Sequence, residues 1–533
     1  MANAKRISAL VLAIIMIVAM FAGCNSGKST ATTAAASTTA AAAVDKKETI
    51  EIEVLFSDHD SQPYTEETWM LPKVALEKFN IKMNMNAIPS ASWVDKRNTT
   101  LASGDLPDII MGVDKNVVDE YGALGQYLNF MDYTAYMPNM LTVMEQFPDI
   151  KANMPSATEM YGMPGSITTA GNVATSAYFI PMIRADLMAD LGLEQWTTYD
   201  EFYNVLKALK DANPDSYPFV NRQKIEFIIS VFAPGLGINS FPSGLSSTGW
   251  TVWNEDSKTF TSLLDETNFK EWVSFMNKLY TDGILDPSYA TDDTQTWESK
   301  IVSGAGSFAC DYFARPEMMS AIGTTNDPNY SLEAMLVPTM EGGSQTIFSR
   351  LGIGGWNIVD AKTANPERLC EFIDWWRYTE EGSLLMTYGQ EGFTFKKNDD
   401  GTLSRIFPEG ITNTLDSDAA YGTNYLTFWS FKPDFYGYDL YDVNATYHTN
   451  QVWELLADKQ ISSPPTLVRN AEETAALNEY STDLTDTQRN TINELIMGVR
   501  PMSDWDAIAK EWADVGYTSY LEQANATYAR IYG

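Results

Sequence analysis

Cysteine and histidine are scarce in this chain of 533 residues, which holds 3 Cys and only two histidines, His59 and His448. Two histidines so far apart in sequence leave no material for a His-rich metal site or for most histidine-based catalysis. No CxxC, HExxH, GxSxG or P-loop run is present. Motifs alone do not exclude an enzyme, because a glycosidase needs only two carboxylates and Asp+Glu number 70. Apart from Cys24, the cysteines are Cys310 in an apolar run and Cys370 in a helical pattern. Two cannot build a disulfide scaffold in a chain of this size, and two separate buried thiols are expected in preference to one bridge.

Cations are also in short supply. Lys+Arg number 36 against the 70 acids, for a formal charge of −34, which becomes −36 when Lys5 and Arg6 leave with a cleaved N-terminus. Such a surface repels nucleic acid, anionic lipid and polyanions, and favours a neutral or cationic ligand unless a local basic pocket overrides the field. Neither a cofactor nor a metal is expected. The acidic runs Asn254–Lys258 and Lys397–Gly401 lack the alternating pattern of a calcium loop and read as hairpin turns.

Long apolar runs are missing except for Ala9 to Ala22, which is short of the roughly 20 residues that cross a bilayer. Lys5 and Arg6 before it and small Ala22 and Gly23 after it make residues 1–23 a signal peptide. Phe21-Ala22-Gly23-Cys24 resembles the bacterial lipobox, although Phe21 departs from the usual leucine. That resemblance implies a diacylated Cys24 as first mature residue, whose two acyl chains hold stably where one is marginal. Ordinary secretion with an incidental cysteine is the alternative. Residues 24–48, rich in Ala, Ser and Thr, have too little bulk to bury and read as a solvated leash with a span of roughly 25 Å.

Order begins at Thr49–Phe56, where Ile50, Ile52 and Val54 alternate with glutamates as in a strand. A helix over Glu67–Phe79, a strand over Ile81–Ala87, a helix over Ser92–Ser103 stopped by Gly104, and a strand over Asp108–Met111 follow. Strand, helix, strand, helix, strand means βαβ units on a parallel sheet, and ligands bind off the carboxyl ends of such strands. That rule selects Asp58, His59 and Asp60 after the first strand, and Asp114 and Lys115 after the third. The alternative for the first three is a solvated turn with aspartate capping. Helices are expected at Tyr199–Lys210 and Asn268–Tyr280, and Ile492, Leu495, Ile496 and Val499, like Trp505, Ile508, Ala509 and Trp512, form packing stripes.

Leu101-Ala-Ser-Gly-Asp-Leu-Pro-Asp-Ile109 is similar to extracellular solute-binding proteins of family 1, the capture components of ABC importers. Tyr161-Gly-Met-Pro164, Ile183-Arg-Ala-Asp-Leu187 with Leu191-Gly-Leu193, and Leu279-Tyr-Thr-Asp-Gly-Ile284 follow in the family's order. Tyr388-Gly-Gln-Glu-Gly-Phe393 and Gly498-Val-Arg-Pro-Met-Ser-Asp-Trp505 resemble the subgroup serving oligosaccharides and complex polysaccharides. The resemblance runs from about Thr49 to Gly533. It implies an α/β, two-lobed periplasmic-binding-protein-like fold of type II, each lobe a mixed, mostly parallel sheet flanked by helices, with extra C-terminal helices. The implied N-lobe is 49–168 plus 352–410 and the C-lobe 169–351 plus 411–533, with crossings near Pro164–Thr175, Arg350–Gly354 and Phe407–Thr412.

The function implied is capture of an oligosaccharide between the lobes and delivery to ABC permease subunits. The implied protein is a monomer held on the extracytoplasmic face of the cell membrane by its lipid alone, with no catalytic residue. A sugar needs flat aromatic walls and hydrogen-bonding rims, so aromatics at loop or strand ends are the candidates: Tyr312, Trp356 and Trp429, each of which could instead be a core aromatic. Arg184 could reach ligand oxygens or pair with Asp186. A secreted carbohydrate-active enzyme, and a binder of peptide, lipid precursor or another solute on the same scaffold, remain as alternatives.

Overall fold

A computed structural model describes residues 48–59, 62–147, 150–151, 153–168, 179–222, 224–240, 249–349, 352–412, 414–424, 447–465, 467, 469 and 471–532. The chain starts with β1 (Ile50–Ser57), α1 (Met70–Phe79), β2 (Ile81–Ile88), α2 (Ser90–Ser103), β3 (Ile109–Val113) and α3 (Lys115–Ala123). Alternation in β1 holds only through Val54. Leu55 and Phe56 are both buried, because the end of this strand is covered on both faces. Gly104 ends α2 in the left-handed conformation at φ 66°.

There follow α4 (Pro138–Gln146), β4 (Met163–Thr168), β5 (Phe179–Arg184), a hairpin of β6 (Thr251–Asn254) and β7 (Thr259–Ser262), β8 (Phe308–Tyr312), β9 (Leu332–Ala334), β10 (Ile347–Ser349) and β11 (Gly352–Val359). The first sheet has the order β2-β1-β3-β11-β4. β1 pairs parallel with β2 and β3, as the βαβ pattern requires, whereas β11 runs antiparallel to both β3 and β4. The second sheet, β8-β5-β9, pairs antiparallel, and Phe219 adds isolated parallel bridges to Phe308 and Leu285. The architecture is therefore α/β with mixed sheets and many helices.

Each sheet has its own core. One face of the first sheet buries Phe56, Trp69, Phe130, Phe372 and Trp376, and the other buries Leu55, Trp93, Val118, Trp356 and Ile358. The second sheet packs Phe202, Phe219, Phe232, Trp272 and Phe308 into a core that the C-terminal helices complete with Ile492, Leu495, Trp505, Ile508 and Trp512. Indole Nε1 of Trp505 donates to the Leu264 carbonyl at 3.0 Å and that of Trp512 to Thr491 Oγ1 at 2.9 Å, so both rings are packing residues with satisfied polar ends. Val499 does not belong to the stripe. The helix Ser481–Ile496 ends before it and leaves Val499 68% exposed.

Residues 414–424 return to the first core: Trp69 Nε1 donates to the Ala419 carbonyl at 3.2 Å and Asn424 N–H to that of Met386 at 2.6 Å. The chain thus stays beside β1 through Asn424, past residues 407–412. Cys310 in β8 and Cys370 in the helix Pro366–Tyr378 are free and buried, and burial pushes both thiols upward. Among the described residues, no helix is long and apolar enough to cross a membrane.

Candidate functional site

The carboxyl ends of β1 and β3 lie side by side. β1 pairs Leu55 with Ile110, and extending that register by three residues brings Asp58 level with Val113, which pairs in turn with Trp356 of β11. Gly112 shapes this end. Its φ of 68° kinks the strand opposite the irregularity in β11 between Trp356 and Ile358, and its N–H donates to Asn357 Oδ1 at 3.0 Å. Arg97, projecting from α2, donates to the Gly112 carbonyl at 2.7 Å and to Asp114 Oδ2 at 2.9 Å. One guanidinium thereby fixes both the end of β3 and the entry to α3.

Lys115, the first residue of α3, is hydrogen-bonded to Asp119 one turn on, and its ammonium lies 5.3 Å from the centre of the Trp356 ring. Burial holds the Lys115 amine below its ordinary value, partly offset by Asp119. The same burial pushes the Asp119 carboxyl upward against the pull of Lys115. Trp356 is 5% exposed and packs with Val113, Val118 and Tyr127, so it forms the floor under Lys115 more than an open wall. Gly122 lets Tyr161 cross α3, since a Cβ there would lie 2.3 Å from Tyr161 Cγ.

The second sheet has an aromatic edge where β5 begins. Phe179, the first residue of β5, pairs with Tyr312 at the carboxyl end of β8. Their rings are 4.9 Å apart, and Phe227 meets Phe179 edge-on at 4.8 Å. Behind them Asp311 is fully buried and accepts from Arg222 Nε at 2.7 Å and Nη2 at 2.8 Å, with Arg315 Nε at 3.3 Å. Arg222 faces Tyr312 at 5.7 Å and Trp297 at 5.5 Å. Flat apolar rings flanked by paired ions can stack and hydrogen-bond a polyhydroxylated solute. Among the described residues, no group of three or more His, Cys, Asp or Glu is placed to hold a metal ion.

The family model for the bacterial extracellular solute-binding protein matches residues 62–381. The chain belongs to that family. Its members are binding proteins rather than enzymes, and the family places them outside the cytoplasm. Lipoprotein LipO of Bacillus subtilis strain 168 is 25% identical over 340 residues, 61% of this chain and 64% of that protein. The fructooligosaccharide ABC transporter substrate-binding protein FusA of Streptococcus pneumoniae serotype 4 is 28% identical over 232 residues, 40% of each chain. The polygalacturonan/rhamnogalacturonan-binding protein YtcQ of Bacillus subtilis is 25% identical over 346 residues, 61% of this chain and 63% of that one. The match therefore spans 40% to 64% of the length of these relatives.

In fold, this solute-binding protein is similar to alginate-binding protein AlgQ2 solved without calcium ion, at TM-score 0.71 and 18% identity over 91% of this chain and 99% of that one. It is equally similar to an S. pneumoniae FusA EF-hand mutant in complex with fructo-nystose, at TM-score 0.71 and 18% identity over 90% and 99%. Those neighbours are two-lobed solute-binding proteins, which agrees with the α/β, two-lobed architecture expected from the sequence.

Of the residues selected from the solute-binding protein's sequence, Asp58, Asp114, Lys115 and Trp356 come together at the first edge, and Tyr312 lies on the second. Asp58 is engaged as a turn cap: its Oδ1 accepts from the His59 N–H at 3.0 Å and the Tyr64 N–H at 2.9 Å, and His59 beside it is exposed. Asp60, Trp429 and the lipidation position Cys24 lie outside the described residues. Arg184 sits at the far end of β5, about 17 Å along the strand from Phe179. It is closed in a bidentate pair with Asp186 at 2.8 and 2.6 Å, a bond to the Ile301 carbonyl at 3.2 Å and the Tyr330 ring at 3.9 Å. That is the pairing with Asp186 that the sequence offered, made at the carboxyl end of β5, away from Phe179. Arg97, Asp119, Phe179, Phe227 and Arg222 escaped sequence reading. Only Asp119 carried a signal, its i,i+4 spacing from Lys115. The turns at Asn254–Lys258 and Lys397–Gly401 are hairpins, as expected.

Proposed function

We propose that this protein captures an oligosaccharide between its two lobes outside the cell and delivers it to the permease of an ABC importer. The observation that carries the reading is the composition of the two strand edges: Trp356 with Lys115 and Asp114 on one, Phe179 with Tyr312 and Phe227 on the other. Phe179 opens β5 on the second edge, and Trp356 of the first edge pairs with Pro164 in β4, the strand that precedes β5 in the chain. Relatives named for fructooligosaccharide and polygalacturonan binding support a carbohydrate solute.

In this reading the N-lobe comprises 49–168 and the stretch from 352 through Asn424, which moves the third crossing beyond residues 407–412. Solute bridging the edges favours the closed state, and only its differential affinity for that state drives the shift. The helix Ala471–Asn478, from the C-terminal part of the chain, touches α3 beside the first edge. Cys24 carries the lipid, the leash of residues 24–48 lets the monomer reorient over the membrane, and permease subunits are the protein partners.

A thermal-shift screen of oligosaccharides tests the proposal, because a bound solute at 100 times its Kd adds about 2.7 kcal/mol of stability. Stabilisation by an intact glycan supports it. Released reducing ends reveal an enzyme instead, and stabilisation by peptides alone reassigns the solute. A Cys24→Ser protein that still partitions with membranes would refute the lipid tether alone.

A further inference from the structure

Four cations at the two edges, Arg97, Lys115, Arg222 and Arg315, are each committed to a carboxylate of the protein itself. Arg97 is held by Asp114 and the Gly112 carbonyl, and Lys115 by Asp119. Across the site, Arg222 makes a bidentate pair with the buried Asp311 and a third bond to Thr294 Oγ1 at 3.2 Å. Arg315 is shared between Asp311 and Glu298, the latter at 2.7 Å.

Two cations thus meet Asp114 and Asp119 on the first edge, and two meet Asp311 and Glu298 on the second. Within these pairs neither edge has a net positive charge, and Lys224, exposed three residues before Phe227, stands outside them. Arg368 and Arg377 lack a carboxylate partner among the described residues, but both are buried and donate to main-chain carbonyls, Arg368 to Phe79 and Arg377 to Pro164 and Gly165. Between residues 169 and 178 the sequence has no lysine, arginine or histidine.

We propose that the solute is an uncharged oligosaccharide and that these ion pairs discriminate against uronate-containing glycans. The proposal rests on the carbohydrate reading above and adds the charge class. A carboxylate has about four lone-pair sites, so a sugar hydroxyl can donate to Asp114 or Asp119 while the ion pair stays closed. A uronate carboxylate has no proton to donate. At Arg97, Lys115 or Arg222 it meets a cation that an aspartate already neutralises, so it places a second negative charge beside that aspartate with no cation of its own. The formal charge of −34 adds a long-range barrier to an acidic polymer.

Calorimetry on the purified protein distinguishes the charge classes, using malto-, fructo-, xylo-, galacto- and manno-tetraose as neutral probes. Tetragalacturonate and tetramannuronate are the acidic probes, and methyl-esterified tetragalacturonate is the matched neutral form of the first. The expected result is binding of a neutral glycan at least about 100-fold tighter than any acidic one, with an affinity that changes less than about threefold between 50 and 500 mM salt. Asp114→Asn and Asp119→Asn release Arg97 and Lys115, and each is expected to raise acidic-glycan affinity about tenfold in a salt-dependent manner. Asp114 is largely exposed, so that variant folds even if Asp119→Asn does not.

An acidic glycan bound as tightly as any neutral one overturns the charge assignment and leaves the carbohydrate reading standing. No binding to any glycan of either class overturns the carbohydrate reading itself. An Asp114→Asn protein with no gain for acidic glycans refutes the masking of Arg97 specifically.

Discussion

Replacing Trp356 with alanine removes a ring that is enclosed on most sides. Val118 and Ile358 share its core, Gly162 approaches so closely that a Cβ there would lie 3.4 Å from the ring, and Lys115 covers one face. Loss of a buried tryptophan costs about 3–5 kcal/mol, and a site braced by strand backbone on two sides collapses poorly, which favours the upper half of that range. The cation–π contact with Lys115 adds about 0.5–2 kcal/mol because the ammonium is itself half-buried. A net loss of about 5 kcal/mol lowers the melting temperature of a lobe of this size by roughly 10–20 °C.

The assay is urea unfolding followed by tryptophan fluorescence, with the first transition assigned to the N-lobe, since a two-lobed chain need not unfold in one step. Trp356→Phe retains a ring and is expected to lose only about 1–2 kcal/mol while weakening solute affinity through the displaced Lys115. A Trp356→Ala protein within about 1 kcal/mol of the parent would refute the enclosure of the ring and return Trp356 to the role of an open stacking wall.

Gly122→Ala drives a methyl group into Tyr161, so α3 must shift; a loss of about 1–3 kcal/mol together with weaker solute binding is expected, and unchanged melting and affinity would refute the close approach. Thr198→Ala removes the capping box shared with Glu201 at the start of the helix Tyr199–Ala212, costing about 1 kcal/mol in denaturant titration with no change in affinity. Lys300 clamps Asp286 at 2.6 Å and Asp292 at 2.5 Å. Burial pushes the Asp286 carboxyl up, but its bonds from Lys300 and Ser288 outweigh burial and hold it below its ordinary value. Stability from such a depressed carboxyl is present above the unfolded value of about 4 and is lost as pH falls through the folded value. Lys300→Met should therefore lose stability at pH 7 and converge with the parent near pH 3; parallel curves would exclude the clamp.

Much of the N-terminal βαβαβ layer was legible in the sequence because each element carries its own periodicity and stop. The helical spacing that begins at Glu67 overruns the start of α1 at Met70 by three residues, since turn residues satisfy helical spacing without entering a helix. β11 was harder to read. Gly352-Ile-Gly-Gly-Trp356 has no alternation, and its place between β3 and β4 depends on pairing across the chain. The site divides in the same way. Asp114 and Lys115 follow from the carboxyl-end rule, whereas Arg97 acts through a long side chain reaching from α2 to a different loop, and Phe179 gains its neighbours only when β5 pairs with β8. Arg184 takes the second of the two roles its sequence offered, pairing with Asp186, at the end of β5 opposite Phe179.

The position of β11 also sets the order in which the protein can be completed. β4 touches the first sheet only through β11, which follows it by about 190 residues. At 5–20 residues per second, that strand leaves the ribosome about 10–40 s after β4. Until then β3 has an open edge and Met163–Thr168 has no sheet to join. A nascent chain of this design stays incompletely folded through most of its synthesis, the condition in which a polypeptide can still be threaded through a secretion channel.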